Sequence, residues 1–155
     1  MIEIRTAAVT DAHALAELRW EFRSVQDPPT EAHDDFVRRC AEWMRRSLSI
    51  GGSWQAWVAV DGNAIVGQVW VQTVGKIPNP VADSEPEHIA YLSNLFVKVS
   101  ARGGAGTRLL ETALDWCRAN RMDRVVLWPS RRSVTLYLGH GFSPGGEVME
   151  LKIRS

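Results

Sequence analysis

The spacing of apolar residues changes several times along the chain, and each change predicts an element. Ile2 to Arg5 suits a short strand. Leu15, Leu18 and Phe22 then recur at helical spacing behind Thr10 and Asp11, either of which suits an N-cap, and this helix runs to about Arg23. Asp27-Pro28-Pro29 breaks the pattern. A second helix, capped at Thr30, carries the stripe Phe36, Val37, Cys40 and Met44 and is ended by Gly51-Gly52. Trp54 to Val60 and Ala64 to Val71 are β-rich runs joined at Asp61-Gly62, a hairpin signal.

Gly75 to Pro86 holds three prolines and no apolar period, which predicts a loop long enough to serve a site. Ile89 to Val97 (IAYLSNLFV) is nearly continuous in apolar character, as a strand buried on both faces would be. A helix to about Ala119 follows, with Leu109, Leu110, Ala113, Leu114 and Cys117 facing inward and Arg108, Glu111, Asp115 and Arg118 outward. Arg124 to Trp128 reads as another buried strand, Ser133 to Leu138 as a short helix and Glu147 to Ile153 as a last strand. The order predicts one α/β domain over residues 1–155, a mixed sheet flanked by about four helices. A crossover helix between strands 89–97 and 124–128 should set them side by side, parallel and right-handed.

Composition narrows the function classes. The chain has 155 residues, of which 45% are hydrophobic and 23% charged, as in soluble globular proteins. Eighteen basic and eighteen acidic side chains cancel, so no general field favours nucleic acid or an anionic membrane. Cys40 and Cys117 lack metal-ligand spacing, and buried thiols in a reducing cytoplasm are the expectation. No apolar run suits a signal peptide or a membrane span.

The chemistry starts at SARGGAGTRLLE, residues 100–111, where a strand gives way to a helix. Glycines let the backbone approach a ligand, and the first helical N–H groups lack partners within the helix. With the helix dipole and Arg102 nearby, such a turn suits a phosphate, although a tight turn that binds nothing has the same local pattern. GxGxxG fails because Leu109 stands where its third glycine belongs, and no Gly-Lys-Ser/Thr exists for a Walker loop.

Asn94-Leu95-Phe96-Val97, followed by Arg102, Gly104-Ala105-Gly106 and Leu109-Leu110, resembles the acetyl-CoA motif V-x-x-x-x-R-G-x-G-x-G/A of the GNAT superfamily of N-acetyltransferases. SRRSVTLYLGHGF, residues 130–142, resembles the partner motif N-x-x-A-x-x-L-Y-x-x-x-G-F at Leu136, Tyr137, Gly141 and Phe142. RGGAG is one residue shorter than the family's loop, and Ser130 and Ser133 replace its usual Asn and Ala. The resemblance spans roughly residues 2 to 153 and implies a GNAT-like fold with strands splayed at the CoA site.

It also implies acetyl-CoA as co-substrate, with no metal, and acetyl transfer to a primary amine by direct attack in a ternary complex. Leu95, Phe96 and Val97 would then meet the pantetheine arm, and Arg102, Gly103, Gly104, Ala105, Gly106 and Thr107 the pyrophosphate. Tyr137 would be the general acid. Tyr91 stands where some members carry a glutamate base, so a proton path through water held by Tyr91 and Ser93 towards Glu87 is the candidate, on one strand face if no bulge intervenes. His140 reads as a turn residue. The two N-terminal helices and the 75–86 loop would set the acceptor, a small molecule or a peptide amine. Glu21, Asp27, Glu31, Asp34, Asp35, Asp83 and Glu85 gather there, which suggests a weakly acidic mouth for a cationic amine. Seven tryptophans are mostly core in this reading, with one or two free to line an acceptor pocket or a dimer face. Homodimers are frequent in the family. The competing reading is a non-catalytic acyl-CoA-binding module that acts through a protein partner.

Overall fold

The hairpin expected at Asp61-Gly62 forms, with Gly62 at a φ of 62° and Asp61 paired to Ala64. It joins two strands of a five-stranded sheet in a computed structural model that describes residues 1–81 and 88–154. The strands are β1 (Ile2–Thr6), β2 (Trp54–Asp61), β3 (Ala64–Gly75), β4 (His88–Val97) and β5 (Val125–Val126), in that spatial order. β1 to β4 are antiparallel, while β4 and β5 are neighbours and parallel. The helices are α1 (Ala12–Ser24), α2 (His33–Ser47), α3 (Ala105–Ala119) and α4 (Val134–Leu138). The mixed α/β sheet with four helices is the architecture expected from the sequence.

The central strands are apolar on both faces because each face is covered. On one, α1 and α2 bury Leu15, Ala16, Val37, Ala41 and Met44 against Ala56, Val58 and Trp70. On the other, α3 buries Leu109, Leu110, Ala113 and Cys117 against Trp57, Val69, Val71, Ala90 and Leu92. Gln68 is wholly buried beneath α1 yet satisfied: its Nε2 donates to the Leu15 carbonyl at 3.0 Å, and its Oε1 accepts from Trp70 Nε1 at 2.8 Å.

Several boundaries differ from the pattern. α2 starts after Ala32 rather than after Thr30. Asp11 caps no helical N–H; it accepts from the Ala8 N–H at 2.7 Å and holds Arg5 through two hydrogen bonds. The strand expected over 124–128 is reduced to Val125–Val126, so Trp128 lies outside it. The last strand, Glu147 to Ile153, does not form: Val148, Met149, Leu151 and Ile153 are all exposed. A strand needs a paired neighbour, and β5 is too short to template one. Among the described residues, no helix is long and apolar enough to cross a membrane.

Candidate active site

β4 carries a bulge. Gln68 pairs with Phe96 and Trp70 with Ser93, so two steps along β3 match three along β4. Asn94 absorbs the extra residue at a φ of 58°, a left-handed conformation that Asn tolerates better than most side chains. The bulge corrects the expectation of one continuous face. Ala90 and Leu92 point to the α3 core, and beyond the bulge Leu95 and Val97 do so as well. Tyr91 and Ser93 lie on the opposite face, where Tyr91 Oη donates to Ser93 Oγ at 3.3 Å. Phe96 joins that face and stacks on Phe22 of α1, ring centroids 5.0 Å apart. Glu87, Asp83 and Glu85 lie outside the described residues.

The bulge coincides with an opening in the sheet. Among the described residues, β5 pairs with β4 only at Ala90 and Tyr91, so from Leu92 onward the β5-facing edge of β4 has no strand beside it. The Lys98 N–H donates to the Val66 carbonyl on β3 at 2.8 Å. Strand alternation then turns the main-chain groups of Phe96 towards β3 and those of Val97 towards the opening.

At the end of β4 a single 3-10 turn, Val99–Ala101, leads to the glycines. Gly103 and Gly104 have φ values of 148° and 104°, and a Cβ on either would meet nothing within 4 Å, so the turn is left-handed and open. Ala105 is buried beneath it and starts α3. The first backbone bond of this helix is from the Arg108 N–H to the Gly104 carbonyl at 3.0 Å. Among the described residues, the N–H groups of Gly103 to Thr107 have no hydrogen-bond partner in the protein. Arg102 folds back, its Nε donating to the Val97 carbonyl at 3.2 Å. The shortened loop therefore still presents a run of unsatisfied donors, the donor set that a pyrophosphate requires.

Tyr137 sits on the α3 side, 7% exposed, with its ring edge-on to Phe142 at 5.4 Å. Burial pushes its phenol up to about 12, so it keeps its proton through neutral pH. His140 is a turn residue, its Nδ1 2.8 Å from the Leu136 carbonyl and its Nε2 3.4 Å from Glu111. Burial pushes the Cys117 thiol up to about 11 and raises Cys40 as well, which suits neither as a nucleophile.

The other face holds a cavity of 470 Å³, which reaches the bulge at Ser93 and Asn94. Its walls include Phe36, Trp43, Trp54 and Trp70, whose indoles pack edge-on or tilted at 5.5 to 5.9 Å, together with Arg19, Arg39 and Arg46. Trp57 and Trp116 belong to the α3 core, whereas Trp128 is 68% exposed and meets Tyr91 at 5.5 Å. The acidic mouth is not what the cavity shows, since no carboxylate lines it among the described residues. Glu21, Asp27, Glu31, Asp34 and Asp35 each pair with a basic neighbour: Lys98, Arg23, Arg39, His33 and Arg38.

Arg19 was not singled out by the sequence pattern, and Asn94 entered it only as the first residue of the motif that runs to Val97. The available signal was an arginine beside the apolar stripe Leu15, Leu18, Phe22, which a solvated helix edge explains equally well.

A family model described as "Acetyltransferase (GNAT) family" matches residues 12–142. The chain belongs to this family, and acyl transfer is the general chemistry that membership assigns. Among solved structures, a predicted acetyltransferase from Clostridium acetobutylicum with acetyl-CoA is similar at 20% identity and a TM-score of 0.77, covering 99% of this chain and 97% of that one. A GCN5-related N-acetyltransferase from Ralstonia eutropha has 21% identity, a TM-score of 0.79 and coverage of 98% and 99%. A glucosamine-6-phosphate N-acetyltransferase from Arabidopsis thaliana has 17% identity, a TM-score of 0.70 and coverage of 99% of each chain. No curated protein matches.

Proposed function

We propose that the protein is an acetyl-CoA-dependent N-acyltransferase that acetylates a primary amine by direct attack in a ternary complex. The observation that carries this reading is the continuous track from the unpaired edge of β4 to the unpartnered N–H groups of residues 103–107. Bound acetyl-CoA supplies an activated acyl thioester. Leu95 and Val97 offer main-chain groups to its amide-rich arm, with Phe96 fixing the strand from the other face. Arg102 and the 103–107 turn, Thr107 included, hold the pyrophosphate.

The opening beside β4 lets the two faces of the sheet act on one bond. Tyr137, protonated and desolvated on the α3 side, donates a proton to the departing sulfur. On the other side, Tyr91 and Ser93 orient water that takes the proton of the attacking amine, Glu87 being its proposed sink. The new C–N bond forms as the C–S bond breaks, and the products are an amide and the free thiol of CoA.

The test follows thiol release from acetyl-CoA over an amine panel, together with CoA binding. Tyr137→Phe should lower turnover about 10²- to 10⁴-fold, the usual worth of a positioned acid, with CoA affinity unchanged. Wild-type turnover in the variant would remove Tyr137 from the chemistry. Tight CoA binding with no thiol release on any amine would favour a non-catalytic acyl-CoA module.

A further inference from the structure

Arg19 is the cation whose place in the fold is least explained by stability. It projects from α1 into the 470 Å³ cavity, where its Nη1 donates to Asn94 Oδ1 at 3.2 Å, at the bulge itself. Asn94 is neutral, and the Phe22 ring 5.9 Å from the guanidinium offers only its π face, so no formal negative charge offsets Arg19. Arg39 and Arg46, also on the cavity wall, have acidic partners in Glu31 and Glu42. Arg19 has no carboxylate within ion-pairing distance among the described residues. Burial and the nearby Arg23 both push its guanidinium below its usual range. A partly desolvated cation with spare donors, facing an open cavity, is suited to an anion brought by a ligand.

The remaining walls describe the rest of that ligand. Phe36, Trp43, Trp54 and Trp70 present ring surface, and the volume falls in the range that takes small molecules. Ser93 and Asn94 mark the end of the cavity nearest the opening in the sheet. An acceptor that puts its anion on Arg19 therefore has its amine close to that anion and its apolar body in the aromatic box. An α-amino acid has this layout, its amine and carboxylate sharing one carbon.

We propose that the acceptor is a free α-amino acid with an aromatic or comparably apolar side chain, its carboxylate held by Arg19 and its side chain by Phe36, Trp43, Trp54 and Trp70. This rests on the acyltransferase reading for the chemistry, but not for the binding. In the first experiment, L-phenylalanine is titrated into the CoA-bound protein while tryptophan emission is followed, with phenethylamine as the analogue lacking only the carboxylate. Phenylalanine should bind at least about tenfold more tightly than phenethylamine in the wild type. Arg19→Gln should abolish that preference, and Arg19→Lys should restore part of it, while CoA affinity stays unchanged in both.

In the second, the same ligands and glucosamine 6-phosphate are offered with acetyl-CoA, and thiol release is measured. Phenylalanine should be the fastest, with its KM raised about tenfold or more in Arg19→Gln. Equal binding of phenylalanine and phenethylamine to the wild type overturns the proposal, as does a preference for the phosphorylated amino sugar. Arg19-dependent binding of phenylalanine without thiol release would leave the carboxylate site standing and sink the acyltransferase reading. Thiol release with other amines but no carboxylate preference would do the reverse.

Discussion

At the scale of single residues, buried polar groups serve different ends. Tyr137 has a phenol displaced to about 12 from an ordinary 10, and Cys117 a thiol displaced to about 11 from 9. In both, the native state holds its proton longer than the unfolded chain does. Their stabilisation is complete below the unfolded values and drains away as pH rises through the folded ones. Denaturant midpoints should therefore fall between about pH 9 and 12. Tyr137→Phe should remove the portion above pH 10, worth roughly 2–3 kcal/mol at 1.36 kcal/mol per pH unit. An unchanged alkaline profile in the variant would contradict the assignment. Gln68 is the structural counterpart. Gln68→Ala strands the Trp70 indole N–H in a dry interior, while the Leu15 carbonyl keeps its helical partner, and a loss of about 1–3 kcal/mol is expected from equilibrium unfolding.

At the scale of elements, most of the fold was legible because apolar period tracks burial. The hairpin, the strand at 89–97 and the helix after the glycines each lie within a few residues of the expected place. The failures have physical causes. Glu147 to Ile153 has the apolar content of a strand but no partner beside it, and pairing is not written in one segment alone. The bulge escaped because only Asn94 hints at it, and Asn is common outside bulges too. The position of the glycine turn was legible, and its unpaired N–H groups follow from local chain geometry. The aromatic cavity was not: Arg19 and Asn94 meet across 75 positions of sequence. Gly67 shows how tightly the elements meet, because a Cβ there would lie 3.0 Å from Val97 Cγ2, 3.1 Å from the Phe96 carbonyl oxygen and 3.2 Å from Leu109 Cδ1. Gly67→Ala should cost about 1–3 kcal/mol and weaken CoA binding, because β4 must yield where its edge lies open. Full CoA affinity in a destabilised variant would separate packing from the site.

For the whole molecule, both apolar cores and the family match lie before residue 143. Both apolar cores are complete without the tail, whose Val148, Met149, Leu151 and Ile153 lie in solvent. Among the described residues, its polar contacts to the rest of the chain are the Arg124–Glu147 pair at 3.3 Å and a 3.4 Å hydrogen bond from Trp128 to Glu150. Ending the chain after Gly146 should shift the unfolding free energy by less than about 1 kcal/mol and leave CoA binding intact. A large loss on truncation, measured by chemical denaturation, would mean that the tail is covered in solution.

The bulge at Asn94 also limits how this protein can change. Side chains alternate along a strand, so a residue gained or lost at a regularly paired position of β4 would exchange the inside and the outside of everything beyond it, whereas Asn94 already stands outside that alternation. Deleting Asn94 would straighten β4 and leave Leu95 and Val97 on the α3 side and Phe96 on the α1 side, while removing the residue that Arg19 touches. Most deletions within a strand would transpose its faces; this one would keep both cores and remove the bulge. Change in what the cavity holds should therefore come by substitution on its wall or by loss of this one residue, with the rest of β4 held at constant length.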